Sequence, residues 1–383
     1  MPIGVKRILL EKLRLRYLKA TRKQKSLILD EFCATTELSR KHAIRLLNRE
    51  IKTKTNHPGP KYKYGPEVQK HVVILWEAMG QICSKNMKAA LPIWLEYYDC
   101  NPVVKYLLHQ ISRSTIDRIL KKHRTSERKG KSTTYPSMLK NRIPIKLLDH
   151  KITEPGFVEA DTVAHCGTSM AGEFVNTLTV TDIHTGWTSN RAVWSKKSTN
   201  VLEAIKSIED HLPFKIQGFS SDNGNEFLNN DLFTYFNDRT PKKIPFVRGR
   251  PYKKNDNCFV EQKNWTHVRQ LLGYDRLDTQ WDVEYLNDIY QNYWNPLRNF
   301  FIPTLKLEAK IRHGGKLIKT YGEPKTPYQR LLESDSLTDE EKELLKERAK
   351  HLNPFRLRIE LNKKLKWYFR IVDIRKKQSS RTA

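Results

Sequence analysis

Apolar residues recur along this chain at two different periods, and the change of period divides it. Residues 1–125 have helical spacing. The run TRKQKSLILDEFCATTELSRKHAIRLLNRE carries Leu27, Leu29 and Phe32, breaks at Ala34-Thr35-Thr36, and resumes with Ala43, Ile44 and Leu47. Ser39 stands where an N-cap for the second helix belongs. Two short helices joined by a tight turn suggest a helix-turn-helix unit, with Arg40, Lys41, His42 and Arg45 on the exposed face of the second. The theme returns in ISRSTIDRILKKHR. There Ser114 is the expected cap, Ile116, Ile119 and Leu120 face inward, and Arg113, Arg118, Lys121 and Lys122 face outward. A plain helical bundle has the same periodicity, so the DNA-binding reading leans on charge.

After residue 150 the period shortens. GFVEADTVAH, EFVNTLTVTDIH and TSNRAVW are strand-like and joined by short Gly-containing turns, which predicts a three-stranded meander. Then come a helix (NVLEAIKSIEDHL), a strand (KIQGFSS), a helix (EFLNNDLFTYFN), a short strand (IPFVRG) and a long helix (FVEQKNWTHVRQLLG). That order predicts an α/β domain, a mixed five-stranded sheet with helices on its faces. The last eighty residues show helix signals rather than sheet signals, and RKKQSSRTA reads as a tail without structure. The resulting division is 1–56 and 57–125 for two helical DNA-binding units and 126–149 for a basic linker. The α/β domain covers 150–300, and 301–383 is a basic, mostly helical region.

Charge sharpens this division. The formal charge of the 383 residues is +28. Residues 1–150 carry 32 Lys and Arg against 12 Asp and Glu, and residues 301–383 carry 21 against 11, whereas residues 151–300 carry 17 against 19. Two basic flanks around a near-neutral middle call for a polyanionic partner, because each neutralised phosphate releases counterions. The five cysteines have no CxxC pair, which suits reduced thiols inside a cell. Basic residues interrupt the N-terminal apolar stretch, so no secretory signal is expected, and no apolar run approaches the roughly 18 residues of a membrane span.

Candidate chemistry lies in three carboxylates of the middle region. Asp161 sits in the first strand-like run, Asp222 ends IQGFSSD and opens the turn DNGNEF, and Glu261 starts the long helix. Two strand ends and a helix can bring such groups to one point, and hard Mg²⁺ takes oxygen ligands of this kind. Four other acids compete. Glu226 reads as structural, Asp182 as a turn capper and Asp256 as a helix cap, while Glu159 shares a strand face with Asp161 and reaches toward the same edge. His165 reads as a surface histidine at a strand end. Arg248, Arg250, Lys253 and Lys254 precede the Glu261 helix, and Lys263 and Arg269 follow it, all candidates for contact with DNA. Tyr252 is placed to stack on unpaired bases, and Trp265 is expected to pack into the core.

SSDNGNEF and RPYKKNDNCFVEQKNW, in this strand and helix order, resemble the integrase catalytic core of DDE transposases from bacterial insertion sequences. That core belongs to the ribonuclease-H-like superfamily, and the resemblance spans roughly residues 150–300. It implies catalytic and metal-holding roles for Asp161, Asp222 and Glu261, with two Mg²⁺ ions for which Mn²⁺ can substitute. It implies double-stranded DNA as partner, both transposon ends and target, and a homo-oligomer on DNA of at least two copies. No nucleotide cofactor and no membrane are implied, and the expected location is cytoplasmic and nucleoid-associated in a bacterial or archaeal host. Two departures stand out: 38 residues separate Asp222 from Glu261, and Val268 occupies the place of a basic residue, passing that role to Lys263 or Arg269. A catalytically inactive DNA-binding regulator and a ribonuclease-H-like nuclease are the alternatives.

Overall fold

Alternating β-branched and small residues build the strand at the centre of the sheet, β1 (Phe157–Ala164). On one side it pairs antiparallel with β2 (Val175–Asp182), which pairs antiparallel with β3 (Thr188–Trp194). On the other side it pairs in parallel with β4 (Gly218–Ser221), and β4 in parallel with β5 (Phe246–Arg248). The sheet order is therefore β3-β2-β1-β4-β5, a mixed five-stranded sheet as the sequence predicts. The computed structural model describes residues 3–49, 63–124, 152–222, 224–240, 242–249, 257–313 and 316–382. The expected linker, 126–149, and Arg250, Tyr252, Lys253, Lys254 and Asp256 lie outside the described residues.

The chain divides into two units, Met1–Lys63 and Tyr64–Ala383. In the first, α1 (Ile3–Lys19), α2 (Arg22–Thr36) and α3 (Arg40–Asn48) enclose Tyr17, Ile28, Leu29, Phe32, Ala43 and Leu47. Thr21 and Gln24 form a capping box at the start of α2. Glu37, in left-handed conformation with φ 57°, ends that helix and donates its N–H to the Cys33 carbonyl, leaving a three-residue turn before α3. The second unit begins with α4 (Pro66–Ala78), α5 (Ser84–Leu95), α6 (Pro102–Gln110) and α7 (Arg113–Leu120). Ser112, not Ser114, caps α7: its hydroxyl accepts the Thr115 N–H at 3.2 Å, and Ser114 already lies inside the helix.

Both faces of the sheet are covered. Val158, Ala160, Leu178, Val180 and Phe219 pack against α8 (Ser198–Glu209) and α9 (Asn230–Asn237). Behind the opposite face run α10 (Cys258–Lys263), a π-helical segment Asn264–Arg269 and the short α11 (Gln270–Leu272). The chain continues through α12 (Gln280–Ile289), a second π-helical segment Tyr290–Trp294 and α13 (Asn295–Phe301). The core on that side extends into α4–α7, where the buried Trp94 indole donates to the Phe301 carbonyl at 3.0 Å. The region after residue 301 departs from expectation. It opens with a hairpin, β6 (Leu307–His313) and β7 (Lys316–Tyr321), before α14 (Pro327–Leu332), α15 (Asp339–Lys350) and α16 (Pro354–Thr382). The tail expected to lack structure is the last part of α16.

β3 is an edge strand, and its free backbone groups are taken by asparagine side chains. Asn299 accepts the Thr188 N–H at 2.9 Å and donates to the Thr188 carbonyl at 2.8 Å. Asn295 does the same for Asn190, at 3.2 Å each way. Asn287 does so for Ala192, at 2.8 and 3.0 Å. Each amide mimics a peptide group of a neighbouring strand, so a helical segment closes the edge. Replacing the buried Asn299 with alanine strands both polar groups of Thr188. It should cost about 2–4 kcal/mol in denaturant unfolding; a change under roughly 0.5 kcal/mol would mean the amide pairing contributes nothing.

Candidate active site

Parallel pairing of β1 with β4 decides the geometry of the candidate site. The register sets Ala160 opposite Ser221, so Asp161 and Asp222, each the next residue, emerge side by side where the sheet ends. Both carboxylates are held by local donors. Asp161 accepts the Thr162 N–H and the side-chain amide of Asn264, each at 2.7 Å. Asp222 accepts the Gly224 N–H at 2.9 Å. Gly224 is required there, because a Cβ would lie 2.6 Å from a Glu226 oxygen and 3.0 Å from an Asp222 oxygen.

Burial and the charge of Asp222 push the Asp161 carboxyl up to about 8. Burial likewise raises Asp222, with Glu226 adding to the effect. Glu226 was expected to be structural, yet it stands in this cluster, where its carboxylate accepts from the Thr162 hydroxyl at 2.8 Å and from the Lys196 ammonium at 2.6 Å. Burial works against ionisation of Glu226, but Lys196 outweighs it and holds that carboxyl below its ordinary range.

Glu159 is buried on the same face of β1 as Asp161, and it accepts the backbone N–H groups of Phe259 and Val260 at 3.0 and 3.1 Å. A carboxylate on a helix N-terminus is a favourable charge–dipole pairing, and here it fastens α10 to the central strand. Glu159 thus acts on the site through the helix.

Glu261, on α10, is exposed and does not complete a three-carboxylate cluster with Asp161 and Asp222. The helix changes to π-helical pitch directly after it, and Asn264, one turn on, is the residue that meets Asp161. Among the described residues, no three His, Cys, Asp or Glu side chains are grouped to hold a metal ion.

Several expected DNA contacts are internal. Lys263 is buried and donates to the Gly186 carbonyl at 3.3 Å, and burial, with Arg298 and Arg330 nearby, lowers its ammonium to about 7. Arg269 is half-buried, bonded to the Ala164 and Gly273 carbonyls and stacked on Tyr274. Arg248 is buried at the end of β5. The helix turns Lys263 and Arg269 inward because its exposed side is the one facing away from β1 and β2. Trp265, expected in the core, is 38% exposed. Lys41 and Arg45 on α3, and Arg113, Arg118 and Lys121 at α7, are exposed, while Arg40 is drawn back to Asp30 and Ser26 of α2.

His165, expected at the surface, is fully buried. Its Nε2 meets the Thr177 hydroxyl at 2.8 Å, and burial, reinforced by Arg269, lowers its imidazole to about 3. Against an unfolded value near 6.5, this neutral histidine contributes stability above pH 6.5 that is lost progressively as pH falls toward 3. The difference in unfolding free energy between wild type and His165→Asn should therefore shrink by up to about 1.4 kcal/mol per pH unit below 6. Urea titrations at pH 7, 6 and 5 read it directly, and parallel lines would mean that His165 is not held neutral.

No protein-family model matches the chain. Two solved structures resemble part of it. One is the catalytic core domain of BIV integrase, at 16% identity and TM-score 0.30, covering 47% of this chain and 95% of that one. The other is a simian T-cell lymphotropic virus intasome in complex with a PP2A regulatory subunit, at 15% identity and TM-score 0.27, covering 48% and 59%. A curated protein of Sinorhizobium fredii, the uncharacterized protein y4rM, is 36% identical over 327 residues, which cover 82% of this chain and 91% of that protein. With identity of that level along nearly the whole length of both, this chain belongs to the same family as y4rM.

Proposed function

We propose that the protein is a DDE-type transposase that binds the ends of a mobile element, cleaves DNA at its 3′ ends and joins them to target DNA. The observation that carries this reading is the pairing of β1 with β4, which sets the two buried, mutually repelling carboxylates of Asp161 and Asp222 side by side. Their donor atoms are all oxygen and their charge is only partly compensated, which fits a divalent hard cation such as Mg²⁺, or Mn²⁺ in its place. Asp161 and Asp222 would hold it, with Glu261 the third carboxylate, carried on the adjoining helix. Such a metal supplies activation of the attacking hydroxyl and stabilisation of the leaving 3′-oxygen.

The remaining roles belong to the chain. Asn264 fixes the orientation of Asp161, and Gly224 fixes that of Asp222. Glu159 holds the helix that carries Asn264 and Glu261. The exposed cations Lys41, Arg45, Arg113, Arg118 and Lys121 would meet DNA phosphates in two separate helical regions. Joining two ends calls for at least two copies of the protein on DNA.

The test is cleavage and strand transfer, with Mg²⁺ or Mn²⁺, on DNA carrying the element's own ends. Wild type runs beside Asp161→Asn, Asp222→Asn and Glu261→Gln. Loss of activity in all three with end binding retained supports the transposase reading. End binding by wild type without cutting would favour a DNA-binding regulator, and cutting of RNA–DNA hybrids without joining would favour a nuclease.

A further inference from the structure

A phosphodiester entering a site of paired carboxylates needs a cation to meet it, and the sequence pattern offered Lys263 or Arg269 for that task. Both are turned into the protein and engaged with backbone carbonyls. The basic side chain that stands at the carboxylates comes from elsewhere. Lys196 follows the end of β3, and its charge acts on both Asp161 and Asp222.

Three features show that its placement is built. Ser195, the residue before it, has φ 58°, a left-handed conformation that a non-glycine residue adopts only when its surroundings impose it. Asn200 holds that turn, donating to the Trp194 carbonyl and to the Ser195 hydroxyl. Glu226 then receives the ammonium at 2.6 Å, and the same Glu226 oxygen is fixed at 2.8 Å by Thr162, the neighbour of Asp161. The Glu226 side chain is 8% exposed but that of Lys196 is 36% exposed, so the cation is anchored from below and open from outside. An ion pair of such uneven exposure adds little stability, but it presents an oriented ammonium beside the carboxylates.

We propose that Lys196 binds the phosphate at the DNA cleavage position, with Glu226 and Thr162 as the residues that position it. The proposal rests on the transposase reading and adds to it a substrate-binding cation outside the expected helix. If Lys196 only neutralised the two aspartates, its removal would weaken binding to the same extent whether or not the cleavage-position phosphate is charged.

The experiment measures end-DNA binding without metal, by fluorescence anisotropy, as a function of salt. The proteins are wild type, Lys196→Met, Lys196→Arg and Glu226→Gln, each first shown by circular dichroism to be folded. Each is tested on natural DNA and on DNA with a neutral methylphosphonate at the cleavage position. On natural DNA, Lys196→Met should bind roughly tenfold more weakly and lower the slope of log affinity against log salt by about one. Lys196→Arg should keep the slope, and Glu226→Gln should fall between. On methylphosphonate DNA, wild type and Lys196→Met should bind alike. An unchanged slope for Lys196→Met overturns the proposal, as does an equal loss on both DNAs, which would place the contact at another phosphate or leave Lys196 only to neutralise the aspartates. If wild type binds and cuts but Lys196→Met shows either of those results, only this proposal fails. If wild type neither binds the ends nor cuts them, the transposase reading fails and takes the proposal with it.

Discussion

Replacing Asp161 with asparagine should abolish metal-dependent strand cleavage and make the folded protein more stable. The loss of activity is expected at about 10³-fold or more, roughly 4 kcal/mol of barrier, because one of the two carboxylates that would hold the metal is gone. The gain in stability follows from the electrostatics of the carboxylates themselves. Asp161 is buried beside Asp222 and within reach of Glu226, and these outweigh the Thr162 N–H and Lys196, which favour its charge. An asparagine escapes the cost of protonating this carboxyl, or of holding its disfavoured charge, on folding at neutral pH, which should add about 1–3 kcal/mol. The substitution also fits the local hydrogen bonding. Both Asp161 oxygens accept from donors, so an asparagine amide would confront one of them. Asn264 can answer by turning its own amide over, since its Oδ1 is buried and otherwise unpartnered. Thermal unfolding beside a cleavage assay checks the pair of effects. An inactive variant that is also less stable would show that Asp161 is a structural group and not a strained functional one.

The second large effect is expected at Glu159, which takes no part in the proposed chemistry. Two backbone N–H groups of α10 donate to a single Glu159 oxygen, Oε2, so truncation of the side chain to alanine takes that acceptor from both. Glu159→Ala should cost about 3 kcal/mol and loosen the helix carrying Asn264 and Glu261, whereas Glu159→Gln keeps the accepting oxygen and should cost less. Misplacement of a catalytic group by about 1 Å is enough to lose on the order of 10²-fold in rate, so cleavage should fall by that order even though metal and DNA ligands are intact. Hydrogen exchange at the Phe259 and Val260 amides reports the loosening independently of activity. Unchanged protection at those two amides would remove the explanation.

The sheet was legible because its strands are short, β-branched and separated by clear turns, and the parallel pairing of β1 with β4 follows once their order is known. Asp161 and Asp222 were legible for the same reason, since the residues that follow the last β1–β4 pair inherit their neighbours from the register, although Asp161 lies within β1 and not at its end. Glu261 was harder. Its facing depends on the helix phase, and the π-helical pitch at Asn264–Arg269 leaves no signature in a 3.6-residue pattern. The same change of pitch hides the inward turn of Lys263 and Arg269. His165 was misread because a polar residue at a strand end looks exposed until a distant element covers it, here Tyr290, which hydrogen-bonds the Thr177 hydroxyl that holds His165. The hairpin strands do carry alternation, with Ile311 paired opposite Ile318, a signal outweighed by the helical runs that follow.

The asparagines that close β3 arrive late. Ala192 and Thr188 are bonded by side chains 95 and 111 positions further along. At about 5–20 residues per second of synthesis, the strand waits on the order of 5–20 seconds on the ribosome before its partners exist. During that interval the nascent chain presents a row of unsatisfied peptide groups to any other extended segment nearby. A fragment trimmed at the end of the long helix around residue 272 would keep every proposed catalytic side chain and still carry that opening permanently. A fragment that carries the sheet with its edge closed must therefore reach at least to Asn299, well past the last residue the proposed chemistry uses.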